Sequence, residues 1–344
     1  MRIAILGAGS IGCFVGGAWK AAGLEVQFVG REKIATAIAA DGLTLTDSDG
    51  WRTHFEASQV KYSTKPAALD RADVIALCVK SNGTAAAAKE IGRHGKRGAT
   101  VISFQNGVSN SETLRKALRD RFEVVEGMVP YNVAYLGHGR FHKGVAGDLV
   151  AGESAATRKL AEAIGDKAGR LKLAKDMPSL LWGKLLINLN NAVNALSGMP
   201  LLEQLRQRDY RRVVAASMIE ALELLKAAGI EPAKAGPVPP RLLPHAIAAP
   251  DMVFNNLFLK IQRIDAKARS SMYDDLAARR PTEIDYLNGE VVKLAKSLGR
   301  EAPVNSAIVE LIKVAEAGVE HVWTPQMLRY HVLEQHKAAP LFGY

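Results

Sequence analysis

Along the first half of the chain, short apolar runs alternate with stretches of helical period, the pattern of an open sheet flanked by helices. The runs predict strands at Arg2–Leu6, Glu25–Val29, Val74–Val79, Thr100–Phe104 and Glu123–Glu126. Between the second and third, Leu43–Thr46 and Trp51–Phe55 flank Asp47-Ser48-Asp49-Gly50 and read as a β-hairpin. Arg140–Lys143 and Asp148–Val150 alternate in the same way and read as a further antiparallel addition. After about Asp176 the strand signals stop. Long amphipathic stretches predict helices over Pro178–Leu196, Gln207–Ala228, Asp251–Asp265, Thr282–Leu298 and Pro303–Ala317. The stretch from Glu231 to Pro250 carries six prolines, Pro237 among them, and is a loop-rich connection with at most one short helix. Thr324-Pro325 is a helix start, with a capping residue before proline at the first helical position.

The pattern therefore predicts an α/β chain: an N-terminal Rossmann-type dinucleotide-binding domain over residues 1–175, followed by an all-helical domain over 176–344. A length of 344 residues is near the limit of a single core and agrees with two domains. With 48% hydrophobic and 23% charged residues the composition is globular, and disorder and collagen-like structure are excluded. No apolar run is long enough to span a membrane, and the apolar start gives way to glycines too soon for a signal peptide, so a cytoplasmic address is expected. Cys13 and Cys78 make no disulfide framework and lack metal-ligand spacing; they read as reduced core thiols, and no metal is expected. Lys and Arg number 45 against 35 Asp and Glu, a net +10. The favoured partner for this charge is a small anionic ligand, not nucleic acid or a membrane. Arg206, Arg208, Arg211 and Arg212, the densest basic cluster, are interrupted by Asp209 and read as a solvated helix face. Apolar helical surface is compatible with a homodimer.

Gly7-Ala8-Gly9-Ser10-Ile11-Gly12 follows an apolar strand and opens a helical stretch, the context in which GxGxxG signals a dinucleotide. Gly7 permits the tight turn, Gly9 lets backbone approach a pyrophosphate, and Gly12 lets helix and strand pack closely. Amides at the helix start face the anion. The second strand ends at Gly30-Arg31, where enzymes using NAD commonly place an acid. A guanidinium suits a 2′-phosphate, so NADP (NADPH) is the expected cofactor. Lys80 and Asn106 end two further strands and point toward the same crevice. Lys80 can neutralise phosphate or simply begin a surface loop. Asn106 can bond ribose or substrate, or form an Asn-Gly turn with Gly107.

In the second half, Lys184, Asn188 and Asn191 fall on one face of an otherwise apolar helix. A lysine in a dry cleft can protonate a carbonyl oxygen; the alternative is a solvated helix face. Glu283 and Asp285 open a later helix after Pro281, where the macrodipole favours acids, and Glu283 can also pair with Lys184. Ser270-Ser271 can offer a hydroxyl to a carboxylate or cap a helix.

Taken in order, Gly7–Gly12, Asn106-Gly107, Leu181-Trp182-Gly183-Lys184-Leu185, Ser271-Met272 and Thr282-Glu283-Ile284-Asp285-Tyr286-Leu287-Asn288-Gly289 resemble the ketopantoate reductases (2-dehydropantoate 2-reductases). The resemblance implies a Rossmann domain joined to a helical domain and reduction of a 2-oxo acid by NADPH, the step that yields pantoate for pantothenate and coenzyme A. It implies Lys184 as the acid that protonates the carbonyl oxygen, and Glu283 as the acid that interacts with cofactor and active-site hydroxyls. By the same resemblance Asn106 would contact cofactor and substrate, Asn188 and Ser271 would hold substrate, Lys80 would lie near the cofactor phosphates, and Arg31 would read the 2′-phosphate. The chain departs from the family pattern at Ala192 and Leu202, where type members carry asparagine, and over Gly127–Asn132, where some carry a threonine-rich segment. A buried polar group left unpaired is costly, so these departures bear on which 2-oxo acid is accepted. Two alternatives remain: a reductase of another branched 2-oxo acid, and an NADPH sensor without turnover. A sensor would need the nucleotide motif but not Lys184 and Glu283.

Overall fold

Ile3, Ala4 and Ile5 are almost wholly shielded from solvent, and a strand covered on both faces belongs inside a parallel sheet. The computed structural model describes residues 1–236, 238–259, 268–319 and 322–334, and the chain divides into two units, Met1–Met177 and Pro178–Tyr344. In the first, β1 (Arg2–Leu6) lies between β2 (Glu25–Val29) and β6 (Val74–Leu77), parallel to both. β5 (Lys61–Ser63) extends the sheet beyond β2. β7 (Thr100–Ser103) and β8 (Glu123–Met128) continue it in parallel beyond β6. β11 (Leu149–Gly152) then joins β8 antiparallel and carries β12 (Leu171–Ala174) at the far edge. The strand order therefore reverses direction at β1, the switch point at which open α/β sheets bind ligands.

Helix α1 (Ser10–Ala21) follows β1, α2 (Glu32–Asp41) follows β2, α3 (Thr84–His94) follows β6 and α4 (Asn110–Leu118) follows β7. One core cluster joins Phe14 and Trp19 of α1 to Ile5, Phe28 and Ile102 of the sheet. The predicted hairpin is present: β3 (Leu43–Asp47) and β4 (Arg52–Phe55) pair antiparallel in a separate four-stranded sheet with β9 (Val133–Tyr135) and β10 (Arg140–Lys143).

The expected antiparallel addition of Arg140–Lys143 with Asp148–Val150 is corrected. β10 pairs parallel with β3 and antiparallel with β9, whereas β11 belongs to the large sheet. Phe141, Leu149 and Ala151 are buried in one shared core cluster although their strands lie in different sheets, so the alternation reports a buried face and not the strand partner. β5, β9 and β12 are short strands at sheet edges, and the hydrophobic pattern missed them.

The second unit is helical among its described residues, and α9 (Arg208–Ala227) runs through it. The helix predicted over 178–196 is two, α6 (Met177–Asn188) and α7 (Asn190–Ser197), separated at Leu189. The helix predicted from Thr282 begins as a 3₁₀ turn over Ile284–Tyr286 and becomes α-helical only at Asn288. Two features account for it: Glu316, distant in sequence, accepts from both the amide and the hydroxyl of Thr282 at 2.7 Å, and Leu287 leaves helical dihedrals with φ −116° and ψ −97°. Of the helix predicted over Asp251–Asp265, one turn spans Asp251–Val253 and a wider one Phe254–Phe258; residues 260–267 lie outside the described residues. The short helices Leu201–Arg206 and Ser271–Ala277 were not expected. Between Glu231 and Pro250 a 3₁₀ turn at Pro240–Leu242 leads into the short helix Leu243–Ile247. Thr324 accepts from the Met327 amide at 3.3 Å, capping the helix Pro325–Arg329 as its sequence predicts.

The reading of the arginine cluster as a solvated face fails at Arg211, which is fully buried. Its guanidinium donates to the carbonyls of Ile247 and Ala249 at 3.1 and 2.9 Å, pairs with Asp251, and lies 4.2 Å over the Phe254 ring. One side chain thus ties α9 to the proline-rich connection. Arg211→Met leaves two carbonyls and a carboxylate without their donor and should lower unfolding free energy by about 2–4 kcal/mol in urea titration. Arg212, 40% exposed and paired to Asp209, should cost under about 1 kcal/mol when changed to Met.

Candidate functional site

The glycine loop sits where β1 meets α1, and each glycine has a distinct steric role. Gly7 adopts φ +94°, and a Cβ there would lie 2.6 Å from the Val79 amide nitrogen. At Gly12 a Cβ would lie 2.4 Å from the Gly7 carbonyl oxygen, so the close packing of helix on loop excludes any side chain. Gly9 is the opposite case, since nothing lies within 4 Å of where its Cβ would be, and that open side is the one a pyrophosphate would approach. No side chain caps α1 and no acid occupies its first turn. The amides of Ser10 and Ile11 therefore stand at an uncapped helix start, which favours an anion. Ala8, buried in the loop, accepts through its carbonyl from Tyr62 at 3.2 Å.

Arg31 is exposed at the end of β2 as the residue before α2. Gly30 precedes it because a Cβ there would collide with the Tyr62 hydroxyl. That hydroxyl lies within hydrogen-bond reach of the carbonyls of both Ala8 and Arg31, so Tyr62 links the glycine loop to the end of β2. Sequence reasoning missed Tyr62, because it lies on a short edge strand with no motif around it. Lys80 is exposed just after β6, and Asn106 is partly buried after β7 beside Gly107 at φ +83°. The residues expected to meet the nucleotide therefore lie at the carboxyl ends of β1, β2, β6 and β7, consecutive members of one sheet. This donor set, an open glycine cradle with cations at neighbouring strand ends, fits a dinucleotide.

In the second unit, α6 brings Lys184 to a partly buried position. Gly183 makes this possible: a Cβ there would collide with the Ala233 carbonyl, and Ser179 accepts from the Ala233 amide at 2.8 Å. The proline-rich connection is thereby held directly against the helix. Desolvation, partly offset by the charge of Glu283, lowers the Lys184 pKa from 10.5 to about 8. Glu283 is 8% exposed and immediately precedes the 3₁₀ turn, held by the Thr282–Glu316 bonds and by a bond from the Ile284 amide to Thr282 Oγ1 at 3.2 Å. Glu316 stands 34 residues from Thr282, a separation at which no local pattern reveals the pairing.

Asn188 lies one helical turn after Lys184 and is partly buried, whereas Asn191 falls beyond the break at Leu189. Ser271 is exposed at the first position of its helix. The cap is Ser270, whose hydroxyl oxygen accepts from the Tyr273 amide at 3.1 Å and donates to the Asn191 carbonyl at 3.0 Å. Asn194, fully buried, accepts from the Ser270 amide at 2.8 Å and donates to the Met199 carbonyl at 3.0 Å. Ala192 is fully buried, and Leu202 packs against a cluster of Leu205, Phe254 and Leu259. Among the described residues no group of three or more His, Cys, Asp or Glu side chains could hold a metal, and no helix is long and apolar enough to cross a membrane.

Two family models match: Ketopantoate reductase PanE/ApbA over residues 3–156 and its C-terminal counterpart over 176–316. The chain is 27% identical over 327 residues to a 2-dehydropantoate 2-reductase of Archaeoglobus fulgidus, covering 92% of this chain and 99% of that one. It is 28% identical to the protein of the same name from Pyrococcus abyssi, covering 92% and 98%. The crystal structure of a PanE/ApbA family ketopantoate reductase from Ralstonia eutropha superposes with a TM-score of 0.79 at 29% identity, covering 93% of this chain and all of that one. A D-mandelate dehydrogenase bound to NADH and anilino(oxo)acetate shares the fold, with a TM-score of 0.77 at 20% identity over 92% of this chain and 99% of that one. With both models matched in order along the chain, it belongs to the ketopantoate reductase PanE/ApbA family of oxidoreductases.

Proposed function

We propose that the chain reduces 2-dehydropantoate to pantoate with NADPH, supplying pantothenate and coenzyme A synthesis, with Lys184 as the proton donor. The observation that carries this reading is the Lys184 ammonium, drawn down to about 8 by desolvation beside a buried Glu283. A lysine so tuned is still protonated near neutral pH, yet gives up its proton far more readily than an ordinary lysine. The dinucleotide, when bound, supplies the hydride. The protein's own part is to place a positive charge and a proton where the keto oxygen becomes an alkoxide. As the carbonyl carbon gains the hydride, its oxygen takes the proton from Lys184 Nζ, and solvent restores the ammonium. Glu283 keeps that ammonium charged and interacts with cofactor and active-site hydroxyls. Asn188 and Ser271 hold the substrate, Asn106 contacts both partners, Lys80 lies near phosphate, and Arg31 selects the 2′-phosphate of NADPH. The amides of the loop Gly7–Gly12 hold the pyrophosphate.

A second reading keeps the cofactor and chemistry but changes the acid. Where the resemblance places substrate-binding asparagines, Ala192 is sealed in the core and Leu202 lies among apolar side chains. That environment favours a 2-oxo acid whose branch is a hydrocarbon over one bearing a hydroxyl, because a hydroxyl needs a partner when it leaves water.

Lys184→Ala should lower kcat by roughly 10²–10⁴-fold and leave the NADPH dissociation constant within about twofold. In the parent, reduction needs the protonated lysine, so kcat should fall as pH rises through about 8, and the alanine variant should lose that inflection. An unchanged kcat in Lys184→Ala removes the assignment. Arg31→Ala should weaken NADPH about 10- to 100-fold and NADH less than about twofold by fluorescence titration; equal losses would overturn the NADP assignment.

A further inference from the structure

A set of hydrogen-bonded, buried polar side chains lies in the segments that follow Lys80 and flank Asn106. Ser81, Thr84, Ser103, Gln105 and Asn110 are each 6% exposed or less. Thr84 is the first residue of α3 and Asn110 the first of α4, and neither helix has a side-chain cap. These two residues instead face each other across the strand ends, with Thr84 Oγ1 2.7 Å from Asn110 Oδ1. Asn110 Nδ2 donates to the Asn106 carbonyl at 2.5 Å and to Ser81 Oγ at 3.3 Å. Ser81 Oγ in turn donates to the same Asn106 carbonyl at 2.9 Å. Gln105 Nε2 donates to Thr84 Oγ1 at 2.8 Å and to the Val79 carbonyl at 3.1 Å, while its Oε1 accepts from Ser103 at 2.9 Å.

The donor and acceptor arithmetic permits one orientation. A carbonyl oxygen accepts only, so the Asn110 amide must turn its nitrogen toward Asn106 and its oxygen toward Thr84. Thr84 has one hydroxyl hydrogen, shared between Asn110 Oδ1 and the Ser81 carbonyl at 2.7 Å, and takes the Gln105 amide as acceptor. Both hydrogens of the Asn110 and Gln105 amides are thus used inside the protein. A dense hydrogen-bonded network in a low-dielectric site is stiff, because displacement leaves a buried polar group unpaired.

We infer that Thr84 and Asn110 are positioning residues that clamp the loop of Lys80 to the loop of Asn106, so that the two side chains are presented to the dinucleotide together. This rests on the reading of Asn106 as a cofactor contact, and its test separates the two. The clamp grips the Asn106 main chain, on the carbonyl, and fixes where its side chain begins.

The test is a cycle read by NADPH fluorescence titration, with thermal unfolding as a control for folding. Asn106→Ala alone should weaken NADPH about tenfold; an unchanged constant would sink the reading of Asn106 and with it the premise. Given that loss, Thr84→Val should weaken NADPH about tenfold in the parent but only about two- to threefold in the Asn106→Ala background, where Lys80 is the one side chain of the pair left to misplace. Thr84→Ser, which restores the hydroxyl, should return binding to within about twofold of the parent. Ser81→Ala, which removes one of the two side-chain donors to the Asn106 carbonyl, gives the same pattern with smaller losses and serves if Thr84→Val does not fold. An equal loss from Thr84→Val in both backgrounds, or no rescue by Ser, would contradict the clamp and show only a contribution to stability.

Discussion

The proposed chemistry of this protein depends on an ammonium held partly out of water. Desolvation disfavours the charged form of Lys184, and the charge of Glu283 favours it. The position near pH 8 is the balance of the two. Each side of the balance has its own structural support. Gly183 lets the segment at Ala233 approach α6 closely, and the bonds from Thr282 to Glu316 hold the turn that carries Glu283.

The same principle, that a buried polar group must be matched, organises parts of the fold away from Lys184. Arg211 spends its guanidinium on carbonyls of a connection rich in proline, which offers few amide donors. Asn305, fully buried, donates to Glu220 at 2.7 Å and to the Ser217 carbonyl at 3.1 Å, and accepts from Asn288 at 3.0 Å. It thereby binds α9 to the helices Asn288–Ser297 and Pro303–Glu316. In the first unit the network under Lys80 and Asn106 serves the loops in the same way. In this fold asparagine and threonine hold elements in register at points where apolar packing alone would tolerate sliding.

The parts of the fold legible in the sequence are those governed by period and by backbone sterics. The buried parallel strands read as apolar runs, Gly7 and Gly12 as positions where no Cβ fits, and Thr324-Pro325 as a helix start, since each depends on residues adjacent in the chain. What escaped depends on partners far away in sequence. Alternation over Arg140–Lys143 and Asp148–Val150 could not say that the two strands enter different sheets, because both bury one face equally well. Arg211 resembled its solvated neighbours until the connection folded over it. At the site, Lys184, Glu283 and Arg31 were legible as residue types in suggestive places. Tyr62, Thr282 and Glu316, which hold those places, carry no local signal. Ser270 and Ser271 were legible as a pair, but only the folded chain separates the cap from the exposed hydroxyl.

The most direct test of the account is NADPH oxidation by the purified protein with 2-dehydropantoate, run beside 2-oxoisovalerate and phenylglyoxylate at matched concentrations. The account predicts turnover that requires a 2-oxo acid, with 2-dehydropantoate giving the highest kcat/KM. A hydrocarbon-branched acid surpassing it by tenfold or more would transfer the assignment to the second reading and make Ala192 and Leu202 the reason. Tight NADPH binding with no reduction of any 2-oxo acid would contradict the account of Lys184 as a proton donor and leave a dinucleotide-binding protein without the proposed reaction.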